Sequence, residues 1–358
     1  MANDTKNNEL KEALDQVDRR LLDMLNQRGQ LALKWSRLKE QNEKPEFSAE
    51  RQMERLRAQE QYHRGPLPPQ AVNRIFAEIV SACRAVHKPL QVTFLGPDGS
   101  YSHQAALRYF GGSCSFVSLS SMIDVFEEVE RGHSPVGVAP AENSCEGGTT
   151  ITLDLFLDSD LQICGEIYDE ITLNLLSSAT SLEKINRVYA HSHVFSQCRN
   201  WLSRNLPHAS LQLATNIAEA AQKVKKGSKI ATIGSELAAD IYDLPVRSRG
   251  IQDALHNYTR YFVLGRQEPP QTGNDKTTIL FHAAHHPGAL YRALGIFAEK
   301  GLNMTRIESR LISGKAWDYA FFLDFLGHRT DPLVKDALLE LTEGVDFCKI
   351  LGSYPTEA

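Results

Sequence analysis

The sequence predicts a multidomain protein with three parts: an all-α unit of three helices at residues 1–89, a two-lobed α/β segment at residues 90–267 and a small α+β unit at residues 275–355. Three observations support this division. The first part has helical periodicity only, strands and helices alternate through the second, and the third has a strand–helix–strand–strand–helix–strand order. Proline-containing breaks at residues 88–89 and 268–274 separate the parts.

Composition narrows the classes of function. At 358 residues the chain is long enough for two or three domains, each with its own core. The net charge of −5 and the lack of a long Lys/Arg run argue against nucleic acid as a partner, although local cations can still bind an anionic substrate. The six cysteines have neither a CxxC pair nor metal-ligand spacing, so we expect no metal. Because no apolar targeting or membrane-spanning run is present, we expect a soluble, cytoplasmic protein.

The first predicted helix, residues 9–42, carries a heptad stripe with one cation in it. The stripe consists of Leu14, Val17, Leu21, Met24, Arg28, Leu31, Trp35 and Leu38. A cation on an apolar stripe is costly unless an anion meets it, and Lys39 lies only about 20° around the helix from Arg28. The anion is either a substrate or a glutamate of another helix in a structural salt bridge. At roughly 50 Å this helix is longer than a small domain, so we expect it to pair with a second copy.

Two shorter helices complete the all-α unit, at residues 49–63 and 71–86. Ser48 is well placed to cap the first of them. That helix carries Arg51, Arg55 and Arg57. We expect most of these arginines to lie in solvent and one of them to join Arg28.

Polar stretches in the α/β segment follow predicted strands. Residues 140–148 lie between an apolar strand at 136–139 and a helix at 149–157, which is typical of the carboxyl edge of an open sheet, where ligands bind. An ordinary strand-to-helix turn is the alternative. Residues 96–102 form a glycine-rich loop before a helix at 103–110 and suit a carboxylate or phosphate. This loop lacks the P-loop lysine and the dinucleotide fingerprint, so neither nucleotide class is supported.

The alternation continues into a second series, which predicts two lobes with a cleft between them. A polar run, residues 191–193, follows a strand at 187–190 and precedes a helix at 195–205. The segment closes with Asn257-Tyr258-Thr259-Arg260 just before a strand at residues 261–264. A Thr-Arg pair beside a strand also arises from β-propensity and surface charge alone.

The third part has the ferredoxin-like βαββαβ order. Its strands are predicted at residues 277–283, 303–312, 315–325 and 345–351, with helices at 291–300 and after a cap at Asp331. The loop at 285–290 enters a helix N-terminus, whose free N–H groups can take a carboxylate. Its two histidines have no ligand partners at useful spacing, so we do not expect a metal there.

These residues resemble the bifunctional chorismate mutase–prephenate dehydratases of phenylalanine biosynthesis over nearly the whole chain. The dehydratase motifs are matched by Gly96–Ser102 for G-P-x-G-T-F-S, Pro140–Ser144 for P-x-E-N-S, Gln197-Cys198 in the run from His191, and Thr259-Arg260-Tyr261 for T-R-F. The resemblance implies conversion of chorismate to prephenate and decarboxylating dehydration of prephenate to phenylpyruvate. It implies no cofactor.

The resemblance also implies roles in the dehydratase segment. Thr259 would assist departure of the prephenate ring hydroxyl, which needs a positioned proton donor. The other implied catalytic residues are Asn143, Gln197 and Arg260, and the implied prephenate contacts are Ser102, Glu142, Ser144 and His191. Among the departures from the family pattern, Tyr261 replaces phenylalanine and Ala190 replaces serine.

The all-α unit resembles the intertwined chorismate mutase, in which cations of two chains hold a dianion. The implied chorismate contacts are Lys11, Arg28, Lys39, Arg51 and Gln52. Lys11 replaces an arginine and lacks the bidentate fork that fits a carboxylate. The other departures are Ser48 for aspartate, Gln52 for glutamate, and Cys83 and His87 on the third helix, where serine and glutamine or glutamate are common.

The third part resembles an ACT regulatory domain that binds phenylalanine as an effector, in a homodimer or higher homo-oligomer. The implied effector residues are Gly288, Ala289, Leu290, Asn303, Glu308, Ser309 and Arg310, with Leu311 in place of a proline. Two alternatives remain. One is a dehydratase whose helical unit only dimerises the chain, and the other is a small-molecule binding protein of the two-lobed, periplasmic-binding-protein-like type.

Overall fold

The structure is a computed structural model that describes residues 2–42, 47–145, 147–148, 150–283, 286–311 and 319–356. Its first part is all helical, with α1 at Ala2–Gln41, α2 at Ala49–Tyr62 and α3 at Pro69–Ala85. Ser48 caps α2 as predicted, because its Oγ accepts the backbone N–H of Arg51 at 3.3 Å. None of the described helices combines the length and apolar character needed to cross a membrane.

The apolar stripe of α1 has no cover within the described part of the chain. Its members other than Arg28 are each at least 46% exposed: Leu14, Val17, Leu21, Met24, Leu31, Trp35 and Leu38. A run of exposed large side chains along a helix of 40 residues, about 60 Å long, is typical of an interaction surface.

The first lobe of the α/β segment is a six-stranded sheet. Its strands are β1 Gln91–Leu95, β2 Ser115–Leu119, β3 Val136–Asn143, β4 Gly147–Gly148, β5 Gln162–Glu170 and β11 Tyr258–Gly265. The order is β2-β1-β3-β11-β5, with β4 paired to β3. The helices are α4 Tyr101–Phe110, α5 Met122–Glu130 and α6 Thr150–Leu155. Strand β11 comes from the end of the segment in sequence. It lies between β3 and β5 and runs antiparallel to both.

The second lobe is a five-stranded sheet of order β10-β6-β9-β7-β8. Its strands are β6 Asn174–Ser177, β7 Arg187–Ala190, β8 Ser210–Leu213, β9 Ile230–Gly234 and β10 Val246–Ser248. Its helices are α7 Ser192–Gln197, α8 Arg199–Asn205, α9 Ile217–Lys225 and α10 Glu236–Tyr242. The two predicted lobes are confirmed.

Two elements differ from prediction in a way that matters for function. Strand β3 continues through Pro140–Asn143, which was expected to be a loop, and β11 begins early enough to include Thr259 and Arg260. The cause is mutual pairing, since the ladder between these strands extends as far as Asn143 opposite Thr259.

The single helix predicted over residues 195–205 is two helices, because Cys198 leaves helical geometry at φ −118°.

The third part has the predicted βαββαβ order. Its elements are β12 Asp275–His282, α11 Ala289–Glu299, β13 Met304–Leu311, β14 Tyr319–Leu326, α12 Pro332–Gly344 and β15 Phe347–Pro355. Asp331 precedes α12 as predicted, but its side chain does not cap that helix and accepts the N–H of His328 instead. Two predicted boundaries lie outside the described residues: Thr149, where the helix at 149–157 was expected to begin, and His285, the first residue of the loop at 285–290.

One face of this four-stranded sheet packs on its own two helices, and the other face packs on the first lobe. Leu280, Phe322 and Tyr354 share a buried cluster with Phe156 and Phe262 of the α/β segment. The third part and the first lobe therefore have a hydrophobic core in common.

Candidate active sites

The centre of the α/β site is Thr259 on β11. The strand register places Asn143 of β3 directly opposite Thr259 on one side and Asp169 of β5 directly opposite on the other. Directly paired residues project from the same face of a sheet, with Cβ atoms about 5 Å apart. Three polar side chains therefore meet on one face.

A chain of amide hydrogen bonds connects Thr259 to the second lobe. The Nδ2 of Asn143 donates to Thr259 Oγ1 at 2.9 Å and to Asn257 Oδ1 at 2.8 Å. The Nδ2 of Asn257 in turn donates to Gln197 Oε1 at 2.8 Å. The structure thus brings together three predicted catalytic residues and adds Asn257, which is buried and bridges the lobes. In the sequence Asn257 lies two residues before Thr259, the spacing that puts side chains on one face of a strand. That spacing could have indicated that Asn257 belongs to the site.

Tyr261 and Asp169 form a second polar group beside Thr259. The Tyr261 side chain hydrogen-bonds that of Thr259, and burial, with the nearby Asp169 charge, raises the pKa of Tyr261. Asp169 accepts the Gln104 amide at 2.7 Å and pairs with Arg108. Burial raises the pKa of Asp169, and the Arg108 charge and the Gln104 hydrogen bond partly offset this. The hydrogen bond with Thr259 lowers the pKa of Tyr261 and so partly offsets the effect of burial, as expected where the threonine hydroxyl donates to the tyrosine oxygen.

Three predicted prephenate contacts, Ser144, Ser102 and His191, lie on different elements of the α/β segment. Ser144 holds the end of β3 against β11, because its Oγ accepts the N–H of Tyr258 at 2.9 Å. Ser102 is buried in the first turn of α4. His191 is exposed and is the N-cap residue of α7, the helix that carries Gln197. The prephenate contacts of these three side chains stay predictions.

Arg260 and Glu142 do not share the face of Thr259, and their contacts with prephenate stay predictions. Successive side chains of a strand point to opposite faces, and the fully buried Arg260 follows Thr259 directly. Its guanidinium donates to Glu166 at 2.8 Å, Asp324 at 2.6 Å, Glu142 at 3.1 Å and the Tyr354 hydroxyl at 2.9 Å.

These partners keep Arg260 charged. Burial alone lowers its pKa, but Tyr354, Asp324 and Glu166 together raise it above the usual value. Glu142 also pairs with Arg306 of β13 at 2.9 Å. Asp324, Tyr354 and Arg306 all belong to the third part of the chain, so this ion cluster joins the third part to the strands that carry Thr259 and Asn143.

The predicted effector residues are divided between two faces of the third part. Gly288 is the N-cap residue of α11, and Ser309 faces that helical side of the sheet through its pairing with Phe321. Glu308 and Arg310 face the α/β segment, where Glu308 lies against Gly148 and Arg310 pairs with Asp154 at 3.2 Å. A single chain therefore does not bring the whole predicted set into one site.

The all-α unit contains a cavity of about 530 Å³ between its three helices. The cations that line it are Arg28, Lys39, Arg51, Arg55 and Arg84, and none of the described lining residues is a carboxylate. The guanidinium of Arg51 lies over the Trp35 ring at 4.3 Å. Arg28 donates to the Ile79 carbonyl at 3.4 Å and pairs with no described carboxylate, which argues against the structural salt bridge.

The remaining predicted chorismate contacts, Gln52 and Lys11, and the departing positions Cys83 and His87 differ in access to this cavity. Gln52 and Cys83 line it, but the Gln52 amide donates to the Tyr109 carbonyl of α4 at 3.0 Å. His87 is outside the described lining, with its Nε2 2.8 Å from Glu40 Oε1. Lys11 is exposed and lies about 25 Å from Arg28 along α1, so it cannot reach the cavity of its own chain.

Comparisons with known proteins identify the family of each part of the chain. Family models match as prephenate dehydratase over residues 92–269, chorismate mutase type II over residues 10–88 and ACT domain over residues 277–343. Fold and sites thus define a chorismate mutase fused to a prephenate dehydratase and an ACT domain. The bifunctional chorismate mutase/prephenate dehydratase of Aquifex aeolicus is 41% identical over 97% of each chain. The chain belongs to this family of bifunctional enzymes of phenylalanine biosynthesis.

Solved structures support the same assignment for the second and third parts. The prephenate dehydratase of Arthrobacter aurescens, solved in complex with L-Phe, is 33% identical with a TM-score of 0.69 over 74% of this chain and 90% of that one. A structure described as GqqA, a novel type of quorum quenching acylases, is 28% identical with a TM-score of 0.68 over 75% of this chain and 98% of that one.

Proposed function

We propose that Thr259 is the proton donor of the dehydratase and that Asn143, Asn257 and Gln197 orient it and the substrate. The observation that supports this is the bond from Asn143 Nδ2 to Thr259 Oγ1. Because Oγ1 accepts there, the threonine proton is left to point elsewhere, toward the substrate. Asn143 then donates to the oxygen that becomes negative as the proton leaves, as an oxyanion-hole donor does.

The reaction balances without a cofactor. The ring carboxylate of prephenate departs as carbon dioxide, and the electron pair of the broken C–C bond enters the ring. The bond from the ring to the hydroxyl oxygen breaks, and the departing hydroxide leaves as water with the Thr259 proton. Solvent returns a proton to Thr259, and the aromatic ring of phenylpyruvate supplies the driving force.

Thr259→Ala tests this assignment, with Thr259→Ser as the variant that restores a hydroxyl. Loss of a general acid typically costs about 10²–10⁴-fold, so phenylpyruvate formation from prephenate should fall by that factor and return in part with serine. Chorismate, supplied separately, should still be consumed, because the mutase cavity is in another domain. A fall of less than tenfold on prephenate would contradict the assignment.

We infer that the mutase site is the cavity of the all-α unit and that it is completed by a second copy of the chain. Two observations support this inference. The stripe of α1 is exposed, and Lys11 is too far from its own cavity to bind chorismate there. Pairing of two α1 helices covers the stripe and brings Lys11 of each copy toward the cavity of the other.

We infer further that phenylalanine binds at the N-terminus of α11, near Gly288. The backbone of Gly288 has φ +84°, and its lack of a side chain leaves free N–H groups of the first turn open to a carboxylate. The exposed face of the edge strand β13, which carries Ser309, is available to a second chain.

A further inference from the structure

The cavity of the all-α unit holds more positive charge than the predicted chorismate contacts explain. Arg28, Lys39 and Arg51 carry those roles, yet Arg55 and Arg84 also line the cavity. No described lining residue supplies a negative charge. Cations collected in a partly buried space repel one another and are costly unless an anion joins them. A ligand with more than one negative group would balance the charge of this lining.

Arg55 is the member of this group with an unused hydrogen-bond donor. It lies one helical turn after Arg51 on α2, so both side chains project from the same face. Its Nε is buried and has no hydrogen-bond partner among the described residues. Burial, followed by the charges of Arg84, Arg28 and Arg51, lowers the pKa of Arg55 to about 10. An isolated guanidinium edge of this kind matches the two oxygens of a carboxylate.

Arg55 also offers a bidentate contact, which this sequence lacks at Lys11. The family resemblance places an arginine where this chain has Lys11, and a lysine is a point charge without a fork. We propose that Arg55 binds one carboxylate of chorismate through Nε and a terminal N–H, and so supplies within each chain the bidentate contact that Lys11 cannot make from the second copy. This inference rests on the location of the mutase site proposed above.

The test compares Arg55→Met and Arg55→Lys with matched variants of Arg57. Arg57 lies on the same helix, but its guanidinium donates to the Thr272 carbonyl at 3.1 Å, outside the cavity. A charged hydrogen bond contributes about 1.5–3 kcal/mol, so Arg55→Met should raise the KM for chorismate roughly 10–100-fold. Arg55→Lys should recover only part of this loss. Arg57→Met and Arg57→Lys should change the KM less than twofold, and prephenate turnover should be unaffected throughout.

Two further measurements separate binding from a structural role. The melting temperature of ligand-free Arg55→Met should stay the same or rise, because one of several mutually repelling cations is gone; a fall with loss of both activities would overturn the proposal. Adding Lys11→Arg to Arg55→Met should lower the raised KM at least fivefold, because it restores a fork from the second copy.

The outcomes also distinguish this proposal from the site assignment. If Arg28→Ala abolishes chorismate turnover while Arg55→Met leaves the KM within twofold, the role of Arg55 is refuted and the site stands. If neither variant changes chorismate turnover, the cavity is not the mutase site and both ideas fail.

Discussion

Asn257 offers the sharpest test of how the two lobes cooperate. The variant Asn257→Ala removes the acceptor for Asn143 Nδ2 and the donor to Gln197 Oε1, each now 2.8 Å away. A neutral hydrogen bond contributes about 0.5–1.5 kcal/mol, so two of them amount to about 1–3 kcal/mol. If that energy is used to hold Asn143 and Gln197 in place for the transition state, the kcat for prephenate should fall roughly 5–150-fold.

The assay is phenylpyruvate formation from prephenate, with kcat and KM determined separately. Asn205→Ala is a matched control, because Asn205 is an exposed amide of the second lobe that bonds only the Trp201 carbonyl. A double-mutant cycle of Asn257→Ala with Gln197→Ala should give a coupling energy of at least about 0.5 kcal/mol, as expected for residues in contact. Additive losses, or a kcat within twofold of wild type for Asn257→Ala, would refute the bridge between the lobes.

Two further predictions concern Tyr261 and Gly288. Tyr261→Phe removes the hydroxyl that hydrogen-bonds Thr259. The loss of this hydrogen bond should lower the dehydratase kcat about 3–15-fold with little change in KM. A kcat equal to wild type would show that the hydroxyl does not support Thr259. Gly288→Val should weaken phenylalanine binding, measured by calorimetry, because a β-branched residue is strained at φ +84° and narrows the approach to α11. Gly295→Ala, where an added Cβ meets nothing within 4 Å, is the control, and undiminished affinity of Gly288→Val would place the effector site elsewhere.

The sequence predicted the three-part architecture well because each part has its own periodicity. It also predicted that Thr259, Asn143 and Gln197 act together, since motif resemblance carries over residues that meet in space. Resemblance alone gave no information about which face of a strand a side chain occupies. Strand geometry supplies that information, because Arg260 directly follows Thr259 in a strand and cannot share its face.

The role of Arg55 was beyond sequence reasoning for a different reason. The pattern indicated that one of three arginines on the second helix would join Arg28. The structure places two of them, Arg51 and Arg55, in the cavity with Arg28. How many reach it depends on how α2 crosses α1 and α3, and tertiary packing rather than local periodicity sets that crossing. The extent of β3 and β11 was missed for the same kind of reason, since pairing between strands distant in sequence extends the ladder past their apolar cores.

The hydrophobic core common to the ACT domain and the first lobe makes the catalytic domain depend on the ACT domain for its stability. A chain shortened to end before β12 would expose Phe156 and Phe262 to water and would leave Arg260 without Asp324. Removing one partner from a buried ion pair costs about 3–5 kcal/mol, a large part of the stability of an ordinary domain. Deletion of the ACT domain would therefore damage the catalyst itself. With phenylalanine bound at Gly288 as proposed, loss of feedback would require point substitutions on that face, because removal of the whole domain would also remove dehydratase stability.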